Sequence, residues 1–178
     1  MGMPEVKISF QENAHNFIKR LGRGIVAVPI LDTAFGEVKV VEASLLSGVA
    51  KAVEGLPEEK REDISRTMSV VLTVGARKVF AVCGKDVGAV TGALEGLRFN
   101  WLAIGELSAE DQASIVTWAK EKEFATGRAF MVFGGPELVK EKDGHIVALE
   151  RTHTRHEKIT SAFLAGGFAG LADRSGTF

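Results

Sequence analysis

Gly84-Lys85-Asp86 is the segment that comes nearest to chemistry, because a glycine and a lysine between a strand and a helix are the usual parts of a phosphate cradle. A P-loop needs an earlier glycine and a Ser or Thr after the lysine, and the dinucleotide fingerprint needs its own glycine spacing. Neither pattern is present, and Asp86 would set a carboxylate against the phosphate. The segment reads instead as a strand-to-helix turn with Asp86 capping the helix. Gly105-Glu106 and Gly134-Gly135-Pro136 also fall at the ends of expected strands, where open α/β sheets bind ligands, but they bring no His, Ser or Cys with a partner.

His153, His156 and Glu157 form a second polar cluster. A helical zinc pair places its histidines four apart on one face, with a third ligand elsewhere. Here the order and spacing differ, and Arg151 and Arg155 are interleaved, so the local charge repels a dication. The run from Arg151 to Lys158 is basic yet has no aromatic residue on which a base could stack, and it reads as a solvated connection. Cys83 is the only cysteine and stands in the apolar run Val79-Phe80-Ala81-Val82-Cys83, the setting of a packed thiol rather than a nucleophile. No catalytic, cofactor-binding or metal-ligating residue is therefore assigned, no cofactor is expected, and the chain is not expected to be an enzyme.

The elements that would position these residues follow from periodicity. Core strands are expected at Gly24–Leu31, Arg77–Cys83, Phe99–Gly105, Arg128–Gly134 and His145–Glu150, with a short strand at Glu37–Val41. Leu45, Leu46, Val49, Val53 and Leu56 recur at helical spacing up to Pro57. Ile64, Met68, Val71 and Val74 give a second helix its stripe, which Gly75 ends. Asp86 opens a third helix through Val87, Val90, Leu94 and Leu97. Ser108 and Asp111 make a near capping box for a fourth, through Ile115, Trp118 and Ala119 to Gly127. A last helix is expected from about Glu157 to Leu171, with the small residues Ala162, Ala165, Gly166, Gly167, Ala169 and Gly170. Glycine inside a helix costs roughly 0.5–1 kcal/mol against alanine, so this cluster implies close packing on another backbone. Leu45, Val49, Val53, Met68, Val90, Leu94, Ile115, Trp118 and Phe163 are the expected core. Strands alternating with helices imply an α/β fold: one three-layer-like domain with a largely parallel sheet flanked by helices, plus an extended N-terminal arm.

Composition agrees with that class. The 178 residues are 46% hydrophobic and 25% charged, with a net charge of −1, the balance of an ordinary globular chain with no global pull toward nucleic acid or anionic membrane. No stretch approaches the roughly 20 apolar residues of a membrane span, and no signal peptide is evident, so a soluble protein made in the cytoplasm is expected.

The N-terminus stands apart. Val6, Ile8 and Phe10 alternate with Lys7, Ser9 and Gln11, the period of a strand with one buried face. A polar stretch then leads through Gly22-Arg23-Gly24 into the first core strand. A lone terminal strand satisfies its backbone only by pairing with a sheet edge, of its own chain or of a neighbour. Residues 1–22 are read as arm and hinge, with Asn13, Asn16, Gly22 and Gly24 as turning points, and residues 23–178 as the core domain.

Met1 to Asp32 resembles the start of contractile tail sheath proteins of bacteriophages and phage-tail-like bacteriocins, in which a strand-forming arm leads through a basic Arg-Gly segment into the core. The resemblance continues at Leu97–Ile104, Glu110–Lys120, Gly127–Val132 and Ile159–Gly170, in the right order along most of the chain. It implies a structural subunit with itself as first partner, in a ring and helical homopolymer. It also implies contact with a tail tube protein and with baseplate and tail terminator proteins, and no nucleic acid or membrane span. The implied location is the tail of a virion or bacteriocin particle, assembled in the bacterial cytoplasm. Contraction would be a rigid-body rearrangement of subunits that their arms keep linked. Sheath proteins continue beyond the position of Phe178 into a C-terminal portion with a second arm, and many carry an inserted domain where this chain has only Gly84-Lys85. The chain thus corresponds to the N-terminal and central part of such a subunit. The alternatives are an α/β ligand-binding or enzymatic domain using the turns at Gly84, Gly105 and Gly134, and a tail adaptor that does not polymerise.

Overall fold

Ile25, Val26, Val28 and Ile30 are β-branched, and side chains of that shape favour the pleated backbone. They form β1 (Ile25–Leu31), at the centre of the sheet. The computed structural model describes residues 24–126, 130–135, 146–148 and 160–175. After β1 come β2 (Lys39–Ala43), α1 (Leu46–Ala52), α2 (Glu58–Thr73), β3 (Lys78–Gly84), α3 (Val87–Glu95) and β4 (Trp101–Ala103). Then follow α4 (Ala109–Thr126), β5 (Met131–Gly134), β6 (Ile146–Ala148) and α5 (Ser161–Ser175). The expected arm, the stop at Gly127 and the His153/His156 cluster lie outside the described residues.

The six strands are ordered β2-β3-β1-β4-β5-β6. Only β2 runs antiparallel, against β3; the remaining pairs are parallel. Side chains alternate across the sheet as a period of two requires. Val26, Val28, Val79, Ala81, Cys83, Trp101 and Phe133 face one core with α1, α2 and α5. Ala27, Phe80, Val82, Leu102, Ile104 and Val132 face the other with α3 and α4. The result is the helix–sheet–helix layering that the strand–helix alternation implies.

Pro29 in a central strand needs an explanation, since it has no N–H to give to a ladder. The Ile25 carbonyl accepts from Asn100 on the β4 side, whereas the Gly24 carbonyl accepts from Arg77 and Lys78 on the β3 side. By that alternation Pro29 turns its backbone toward β4. The last β1 residue paired with β4 is Ala27. Pro29 therefore sits where β1 has outrun its neighbour, and no ladder bond is missing.

Several expectations are corrected. The short strand is Lys39–Ala43 rather than Glu37–Val41, because its register against β3 pairs Lys39 with Cys83 and Ala43 with Val79. Leu45 is 70% exposed: it precedes α1 in an extended conformation, and Val49, Val53 and Leu56 alone carry the buried side. Phe163 is 42% exposed, on the side of α5 away from the sheet, and Trp118 is half-buried. The last helix is Ser161–Ser175, beginning after and ending beyond the expected span. The expected core residues Val49, Val53, Met68, Val90, Leu94 and Ile115 are buried.

Candidate functional site

In a sheet whose chain turns first to one side of β1 and then to the other, the crevice between the diverging strands is the customary ligand position. That point is between β1 and β4. There β1 outruns β4, and a cleft of about 540 Å³ opens over Val28–Leu31, Ala103 and Ile104, walled by α2 and the start of α5. Its floor is apolar, and Asp63, Arg66, Thr67, Glu106 and Thr160 supply its polar groups. Arg66 is already engaged, at 2.8 Å from Glu62 Oε1 and 3.7 Å from Asp63 Oδ1.

The turns that would serve a ligand here are occupied by the protein itself. Gly105 N–H donates to Ser161 Oγ at 2.9 Å, and a Cβ on Gly105 would lie 2.9 Å from Ser161 Cβ. Gly135 N–H donates to Gln112 Oε1 at 2.8 Å, while Gln112 Nε2 donates to the Leu107 carbonyl at 2.8 Å. Gln112 is 1% exposed, so both ends of its amide are satisfied inside the fold. At Gly84 a Cβ would meet Val90 Cγ2 at 2.8 Å, and Asp86 accepts the Ala89 N–H at 2.8 Å. The Gly84-Lys85-Asp86 segment is thus a capped turn packed against α3. Gln112 and Ser161 were not legible from sequence: nothing in their spacing marks either as the internal partner of a distant turn.

Beside the cleft, Asp32 takes Lys60 Nζ at 2.5 Å and the Ala34 N–H at 2.9 Å. The Lys60 hydrogen bond, then that amide, hold the Asp32 carboxyl below its ordinary range, and Asp32 in turn raises the Lys60 ammonium. Cys83 is fully buried on β3, and burial pushes its thiol up to about 12. Ser108 Oγ accepts the Asp111 N–H and donates to Asp111 Oδ2 at 2.6 Å, closing the expected cap of α4. Among the described residues no three His, Cys, Asp or Glu side chains gather to hold a metal ion.

Open surfaces among the described residues include the β2 edge and α5, beside the β6 edge and Phe124 on α4. β2 is the last strand on its side of the sheet, and Val40 on it is 43% exposed; Leu45 and Leu46, at the start of α1, are exposed as well. Phe163, Phe168 and Leu171 lie exposed on α5. Of the arm and hinge residues only Gly24 is described. It is buried, its carbonyl accepts from Arg77 and Lys78, and a Cβ there would lie 2.9 Å from Arg77 Cβ. It is the fixed end from which the preceding chain departs. Val6, Ile8, Phe10, Asn13, Asn16 and Gly22 lie outside the described residues.

No protein-family model matches the sequence, and no curated protein does. A solved structure does match: the cryo-EM structure of the anti-feeding prophage helical sheath in its contracted state, with a TM-score of 0.54 at 11% sequence identity. The alignment covers 85% of this chain and 47% of that one. The fold is shared with a contractile sheath. At this identity the likeness speaks for the fold, and the chain spans about half the length of the sheath chain. No helix among the described residues is long and apolar enough to cross a membrane.

Proposed function

We propose that the protein is a structural subunit of a contractile phage-type tail sheath, or the N-terminal and central part of one. The observation that carries this reading is the fold shared with the contracted sheath over 85% of the chain, found independently of the ordered sequence resemblance. The turns at the cleft, closed by Ser161 and Gln112, favour a scaffold over an enzyme. In this proposal Val6, Ile8 and Phe10 of the arm add a strand to the sheet edge of a neighbouring copy, with Asn13, Asn16, Gly22 and Gly24 setting the turn between arm and core. Each main-chain hydrogen bond of such a strand contributes about 0.5–1.5 kcal/mol net. One arm is weak, and a ring of them is strong through multivalency. The homopolymer surrounds a tail tube protein, between baseplate and tail terminator, in a virion or bacteriocin tail.

Electron microscopy and light scattering of the purified chain test this: rings or tubes are expected. Deleting Met1 to Phe10 should abolish them while leaving the melting midpoint within about 2 °C of the intact chain. A monomer unfolded by the deletion would place the arm strand in its own core and remove the proposal's main support. The cleft between β1 and β4 supports a second reading, a ligand-binding domain. A specific thermal stabilisation by a nucleotide or metal ion would favour it.

A further inference from the structure

We draw no further inference here: the strongest candidate, the apolar patch of Phe163, Phe168 and Leu171 on the exposed side of α5, carries none because nothing in the structure shows what covers it.

Discussion

The contact between α5 and the end of α2 sets up a test in which one chemical change has opposite effects at neighbouring kinds of site. Gly→Ala inside a helix lowers the entropy cost of folding and gains about 0.8–1 kcal/mol where the methyl group has room. At Gly92 of α3 nothing lies within 4 Å of the added Cβ, so Gly92→Ala should stabilise by about that amount. At Gly166 the Cβ would meet Val74 Cγ2 at 2.6 Å and the Val71 carbonyl oxygen at 2.7 Å. At Gly170 it would meet the carbonyl oxygen of Gly75 at 2.7 Å and its Cα at 2.8 Å. No rotamer change relieves a collision with backbone, and Gly75 is itself held at φ +126°, a region L side chains rarely adopt. Overpacking costs about 1–3 kcal/mol, so after the propensity gain Gly170→Ala and Gly166→Ala should each destabilise by about 1–2 kcal/mol, because both meet backbone atoms of the facing segment. Urea titration reads both, and the melting midpoints should move by about 2–4 °C per kcal/mol, up for Gly92→Ala and down for the other two. Stabilisation by all three substitutions would show that α5 is not seated on the end of α2 and would refute the packing argument.

Two further outcomes follow from buried polar groups. Cys83 should react with thiol reagents slowly in the native protein and at the ordinary rate in urea. An unfolded thiol loses its proton near pH 8.5 and the folded one near 12, so both states are protonated below about pH 8.5 and only the unfolded state ionises above it. Stability is therefore lost as pH rises through that window, by about 1.4 kcal/mol per unit, and Cys83→Ala should remove that slope from the stability profile between pH 9 and 11; an unchanged slope would count against burial as its cause. Gln112→Leu keeps the volume but strips partners from Gly135 N–H and the Leu107 carbonyl. It should cost about 2 kcal/mol or more, against about 1 kcal/mol for Ser161→Ala, and equal urea midpoints for wild type and Gln112→Leu would contradict the hydrogen bonds described.

The strands were legible because each is a short apolar run with β-branched residues between turn signals, and a strand buried on both faces needs no alternation to be recognised. β2 was displaced by two residues because an edge strand takes its register from its partner: the pairing of Glu42 with Lys78 at 2.9 Å is a tertiary fact. Phe163 was misplaced for a different reason. α5 carries alanine, glycine and large apolar residues around its whole circumference, so its sequence has no phase, and only the sheet and α2 decide which arc is covered. The helix-capping signals at Asp86 and Ser108 were readable because they act over three residues. The Gln112 bridge acts over 23 residues and left no local trace.

The same contrast between local and distant partners bears on function. An α/β sheet that does chemistry leaves amides and polar side chains at its C-terminal turns free to meet charge developing on a substrate. Here Ser161 and Gln112 take the amides of Gly105 and Gly135 and tie α5 and α4 to the ends of the strands. In the sheath proposed above, such ties would help the domain move as a rigid body when subunits rearrange. The outer edge of β2 and the exposed apolar residues of α5 are two of the described surfaces left open, beside the β6 edge and Phe124 of α4. A sheet edge such as that of β2 can accept a strand through its backbone. In the proposed sheath subunit, closed turns and an open sheet edge would suit a domain that is joined to a segment of a neighbouring copy, the role proposed for the arm.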